Sequence, residues 1–172
     1  MSKFYYREIS EGQVNPLAVR WAGIALDHCK KDLGLSDGIY IQWCIPATRE
    51  EYDRQDGRHG RVGHTLREFW GMMIASKLSD NKNRIMLRAD IPIDKIAHTV
   101  AHECRHLADR DHEGDYSITA HLSASDHSEH PSEIRANAYA DRAFPEIRKR
   151  VKLIEGVRRI TEELEALRDG IA

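Results

Sequence analysis

Apolar residues early in the chain recur at three- and four-residue steps. Leu17, Trp21, Ile24 and Ala25, with His28 on the same face, run from Asn15-Pro16 to Gly34. That spacing predicts an amphipathic helix with Asn15 as N-cap, Pro16 in the first turn and Gly34 as its stop. Residues 38–45 (GIYIQWCI) turn β-branched and aromatic and read as a strand that Pro46 ends. From 48 to 63, charge and glycine replace any apolar period, which predicts a mobile loop. Residues 66–74 (LREFWGMMI) and 84–89 (RIMLRA) predict two more strands, paired antiparallel across the turn residues Asp80-Asn81-Lys82-Asn83. Pro92 and Asp94 open a helix with Ile96, Val100 and Leu107 on its apolar side. Residues 109–132 are polar and histidine-rich and read as a loop over the site. Pro131-Ser132 begin another helix, which Pro145 ends or restarts. Ile147, Val151, Ile154, Val157, Ile160, Leu164 and Leu167 then mark a long amphipathic C-terminal helix, 145–170. This order predicts an α+β domain. A small three-stranded, mostly antiparallel sheet would pack on the N-terminal helix, the two middle helices and the C-terminal one.

The 172 residues show no internal repeat and no Pro/Gly/Ser linker, so residues 1–172 read as a single domain long enough to bury a core. Hydrophobic and charged fractions of 41% and 31% suit a globular protein, and a net charge of −2 argues against direct nucleic-acid binding. Met1–Glu11 lacks an apolar h-region and no window approaches a membrane span, so the expectation is a cytoplasmic protein with no membrane partner. Cys29, Cys44 and Cys104 are odd in number and form no CxxC pair, which excludes a disulfide framework or a zinc ribbon as the organising device.

One passage states a chemistry. In His102-Glu103-Cys104-Arg105-His106 the two imidazoles lie four apart, on one helix face, where they can hold a single ion. Glu103 projects beside them, within reach of a metal-bound water whose pKa a divalent ion lowers to about 7. Two histidines leave such a site one protein ligand short. His112 stands where the metzincin pattern HExxHxxGxxH carries its third histidine, but Asp109 occupies the glycine position and every methionine precedes the motif. His121, His127 and His130 are later candidates. Glu133 is another. It heads a helix on which Ala136 and Ala140 permit close packing against the metal helix, and Asn137, one turn on, is placed to hydrogen-bond the far nitrogen of a ligand histidine.

The segment AHTVAHECRHLAD followed by SEIRANAYADRAFP resembles the ImmA/IrrE family of small gluzincin-type metallopeptidases, whose pattern is a HExxH helix and a later E-x-x-A-N-x-[FY]-A helix ending near a proline. The resemblance spans roughly residues 84–145. It implies a minimal zincin-like domain in which His102, His106 and Glu133 bind one Zn2+ and Glu103 is the general base. The activity it implies is hydrolysis of a peptide bond in a protein or peptide substrate, with regulatory proteins as the substrate class. Cys104-Arg105 departs from the small or apolar pair usual before the second histidine. The His106–Glu133 interval is long, and no helix-turn-helix module is appended. The oxyanion of the tetrahedral intermediate needs a further donor, for which Tyr139, His112, His121, His127 and His130 are candidates. Residues 84–89 are the candidate strand for pairing with an extended substrate. A different class stays open: a non-catalytic metal-binding regulatory or interaction protein on the same scaffold.

Other residues have plainer readings. Trp21, Trp43 and Trp70 read as core anchors, His28 as a hydrogen-bonded core residue and Cys104 as a small buried packing residue. The basic run Arg148–Arg159 is offset by Glu146, Glu155, Glu162 and Glu163, which describes a solvated face, and the apolar stripe of that helix offers a surface for self-association.

Overall fold

The first helix obeys the signals around it. In the computed structural model, which describes residues 4–53, 64–65, 69–74, 83–113 and 128–169, α1 (Pro16–Leu33) starts with the Asn15 side chain accepting the Leu17 amide at 2.9 Å. It stops at Gly34, whose φ of 65° lies in the left-handed region that glycine reaches without penalty. The buried stripe of α1 is made of small residues, Ala18, Ala22, Ala25 and Cys29. Another helix can therefore approach it closely.

Among the described residues, five strands form one mixed sheet in the order β3-β1-β2-β5-β4. They are β1 (Phe4–Glu8), β2 (Ile39–Ala47), β3 (His64–Thr65), β4 (Gly71–Ile74) and β5 (Asn83–Arg88). β2 and β5 run parallel, with Ile41 opposite Ile85, and the remaining pairings are antiparallel. The α+β class is as expected, but the sheet is larger and more mixed than three mostly antiparallel strands. Two facts account for the difference. β1 and β2 pair with α1 between them, so no hairpin turn betrayed the contact. β4 folds back antiparallel onto β5, leaving the other edge of β5 to meet β2 in the parallel sense.

Two expected boundaries shift. The strand expected over 66–74 begins only at Gly71, with Phe69 and Trp70 preceding it and 66–68 outside the described residues. The expected loop at 48–63 opens with a short helix, α2 (Arg49–Asp53), and its remainder also lies outside them. Thr48 and Glu51 cap α2 reciprocally. The Glu51 amide donates to Thr48 Oγ1 at 3.2 Å and the Thr48 amide to Glu51 Oε2 at 2.7 Å.

α3 (Ile93–Glu113) is the centre of the molecule, with Ile96, Ala97, Val100, Ala101 and Cys104 fully buried among α1, the sheet and the last helix. That last helix, α4, runs unbroken from Pro131 to Asp169. The break expected at Pro145 does not occur. Proline there deletes only the bond to the Asp141 carbonyl, while buried Ala143 and Ile147 hold the flanking turns against the core. Ala136, Ala140 and Ala143 give α4 the same small-residue face that α1 has. The opposite face of the sheet carries a smaller cluster of Tyr6, Cys44 and Met86. Trp43 is buried and Trp21 packs near Phe144, but Trp70 is 48% exposed beside the edge strand and anchors no core. None of the helices among the described residues is long and apolar enough to cross a membrane.

Candidate metal centre

α3 and α4 meet along a polar seam built in four-residue steps. His98 Nε2 lies 2.9 Å from Asp141 Oδ1, and His102 Nδ1 lies 2.9 Å from Asn137 Oδ1. His106 Nε2 lies 3.2 Å from Glu133 Oε1. Each step back along α4 matches a step forward along α3, as antiparallel helices in register require. Alanines beside the seam on α4 let the helices come close enough for these short side chains to meet.

At one point of the seam three lone-pair donors converge. Glu133 Oε2 is 3.2 Å from His102 Nε2, and the two Nε2 atoms of His102 and His106 are 3.0 Å apart. These three residues form a group able to hold a metal ion. The amide oxygen of Asn137 can only accept, so Nδ1 of His102 carries a proton and Nε2 is the nitrogen able to offer a lone pair to an ion. Burial pushes the Glu133 carboxyl up, but the hydrogen bonds from His102 and His106, with the charges of both rings, outweigh it and hold its pKa well below the usual carboxylate range. Burial pulls His102 down. The Glu133 hydrogen bond and the Glu103 and Glu133 charges outweigh that, leaving its pKa raised.

Glu103 occupies the side of the group that faces the sheet. Its carboxylate is buried, and Oε2 accepts the Met73 amide of β4 at 2.8 Å. Burial raises its pKa, more than the neighbouring imidazoles lower it. The approach of β4 that makes this bond depends on Gly71. A Cβ there would lie 2.4 Å from Thr99 Cγ2 and 3.3 Å from Glu103 Cγ, closer than packed carbons tolerate.

Among the described residues, the other candidates are not brought to this group. Tyr139 lies in the core between α4 and α1, 3% exposed, where the electrostatic influence of Cys29 and Asp32 reaches it. It stands six residues past Glu133, about 240° round the helix, so a face that carries Glu133 and Asn137 cannot also carry Tyr139. α3 continues as helix through Asp109 to Glu113, so the sharp exit that a His112 ligand requires does not occur. The side chain of His112 and all of His121 and His127 lie outside the described residues. His130 Nδ1 bonds Ser132 Oγ at 2.7 Å at the start of α4. The strand expected to receive substrate, 84–89, is internal, with β2 on one edge and β4 on the other. Among the described residues, β4 is the edge strand instead. The Arg88 amide bonds the Trp70 carbonyl, so in strand alternation Gly71 and Met73 turn their backbone groups outward.

No protein-family model, curated protein or solved structure matches the chain. The centre therefore stands on its geometry, which includes parts that sequence reasoning missed. Asp109, which departs from the turning glycine of the metzincin pattern, is a buried carboxylate inside α3 that pairs with Arg105 on its own helix and with Arg135 Nε at 3.2 Å on α4. Arg135 is two residues from Glu133, so this pair ties down the turn of α4 that carries the acidic ligand candidate. The spacing Asp109–Arg135 has no local signature. The glycine before Met72-Met73 was visible, but only the tertiary approach of β4 to α3 shows what it is for.

Proposed function

We propose that this protein is a zinc-dependent metallopeptidase on a minimal zincin-like domain, of the kind implied by its resemblance to the ImmA/IrrE family. The observation that carries the reading is the convergence of Glu133, far along the chain, with His102 and His106. Zinc bonded tetrahedrally at about 2.0–2.1 Å spaces its ligands about 3.3 Å apart. The two Nε2 atoms are 3.0 Å apart and each lies 3.2 Å from one of the two Glu133 carboxylate oxygens, separations close to that spacing. Two imidazoles and one carboxylate, with Glu103 beside them, are also the donor set of a hydrolytic rather than a structural zinc site. Zinc held by these residues would polarise the scissile carbonyl and acidify the attacking water.

The chain's own residues supply the rest. Met73 N–H fixes Glu103 Oε2, leaving Oε1 to accept a proton from the attacking water. Glu103 then returns that proton to the amine nitrogen as the C–N bond breaks, and the carboxylate ends as it began. Burial raises its pKa and suits it to hold the proton between the two steps. With Met73 N–H taken by Glu103, the other outward backbone groups of β4 would pair with an extended peptide laid along that strand. An extended protein segment suits that mode of binding, and regulators are the substrate class that the family resemblance implies.

The test is purification without chelator, with metal content and cleavage of candidate protein partners measured together. Glu103→Gln should keep one zinc per chain while cleavage falls at least about 10²-fold, and Glu133→Ala should lose the metal. Unchanged hydrolysis by Glu103→Gln removes Glu103 from the mechanism. Stoichiometric zinc without cleavage of any partner overturns the peptidase reading in favour of a metal-binding regulatory protein.

A further inference from the structure

The second half of α4 leaves the body of the protein with an apolar stripe uncovered among the described residues. Ile147 and Val151 are buried against the core, and Glu155 reaches back to Arg20 of α1 at 2.7 Å. Leu153, Val157, Ile160, Leu164 and Leu167 are then 55–68% exposed. Their spacing of four, three, four and three residues is a heptad repeat, with Val157 and Leu164 at one core position and Leu153, Ile160 and Leu167 at the other. At 100° per residue these five side chains point roughly 160–240° round the helix from Val151. The stripe thus faces directly away from the protein's own core.

We infer that this stripe is the seam of a parallel two-stranded coiled coil with a second copy of the chain. A two-fold axis along the seam would leave both bodies on the outside, clear of each other. Charge agrees with the parallel sense. Glu163 flanks one side of the seam and Arg168 the other, five residues later, which is the spacing at which oppositely charged residues meet across two parallel strands. A membrane surface fits poorly, because residues 152–169 carry four basic and five acidic side chains and lack the cationic face that anionic lipid attracts. The helix is already nucleated by its packed first half, so pairing incurs no cost of forming it. About two heptads make a modest interface, and the dimer should be concentration-dependent.

Sedimentation from micromolar to sub-millimolar protein tests this without reference to the metal centre. The wild type should pass from monomer to dimer across that range. Leu164→Lys, at an exposed site, should raise the dissociation constant about a hundredfold, as two buried leucines are lost per dimer, with thermal unfolding of the dilute protein unchanged. Glu163→Arg and Arg168→Glu should each weaken self-association, and an equimolar mixture of the two variants should form a heterodimer, since each then meets its opposite charge. A wild type that stays monomeric throughout, or a dimer indifferent to Leu164→Lys, overturns the proposal. A mixture of the two charge variants that associates no better than either alone overturns the parallel register.

Discussion

Replacing Gly71 with alanine puts one methyl group where the structure has no room for it. The new Cβ would stand 2.4 Å from Thr99 Cγ2, against the 3.5–4.0 Å that packed carbons prefer. Thr99 is 7% exposed on α3, and a β-branched side chain in a helix has few rotamers to retreat into. The edge strand must therefore back away by about 1 Å. That shift stretches the Met73 N–H···Oε2 contact from 2.8 Å to beyond hydrogen-bond range and leaves a buried carboxylate without its donor. Overpacking costs about 1–3 kcal/mol and the lost charged hydrogen bond a further ~1–3 kcal/mol. Against these, the stiffer unfolded chain returns only ~0.4–1 kcal/mol. The net is about 1–6 kcal/mol, or roughly 2–20 °C in melting temperature for a chain of this size. Thermal unfolding of the zinc-loaded protein measures it. Thr99→Ser removes the methyl that the new Cβ strikes, so Gly71→Ala/Thr99→Ser should recover at least half of the loss, and a double-mutant cycle isolates the coupling. If Gly71→Ala melts with the wild type, or if Thr99→Ser gives no recovery, the close approach of β4 to α3 is not what Gly71 serves.

Two further outcomes follow from groups around the centre. Burial raises the Glu103 pKa above its unfolded value, so its contribution to stability is fully present below the unfolded pKa and is lost as pH rises through the folded one. In metal-free protein, Glu103→Gln abolishes that loss while keeping an oxygen for the Met73 amide, so its melting temperature should gain on the wild type as pH rises above the ordinary carboxylate range; a pH-independent difference would contradict a buried charge. Asp109→Ala frees Arg135 from α3 and should weaken zinc binding about 10- to 100-fold by chelator competition with helix content kept; unchanged affinity would mean the ion pair does nothing to place Glu133.

What the sequence disclosed and what it hid divide along the range of the interactions. HExxH and the caps of α1 are local. Their geometry is settled within one or two helical turns, and the structure places them where their spacing implied. Glu133 and Asn137 were legible for a related reason, since i,i+4 spacing on a second helix sets them on one face whatever that helix packs against. The sheet was harder. The β1–β2 and β2–β5 pairings join segments separated by a helix or by another strand, and neither alternation nor turn chemistry encodes a partner at that distance. Asp109 at the glycine position of the metzincin pattern counted against His112, but its role was hidden: the arginines that hold it in a buried helical turn lie one on its own helix and one on α4.

The same contrast explains why the centre sits where it does. A polar seam between two helices is costly to bury unless every donor finds an acceptor. His98, His102 and His106 can each find one on α4 only if the axes lie close, and alanine at 136, 140 and 143, with Ala97 and Ala101 on α3, is what allows that. Larger residues at those positions would improve apolar burial and move the carboxylate of Glu133 out of reach of both rings. The small residues of the core are thus as much a part of the proposed zinc site as its ligands. The position of Glu133 is set by packing that runs the whole length of the α3–α4 contact, and the two-motif pattern reads as one feature because the alanines of its second half serve the histidines of its first.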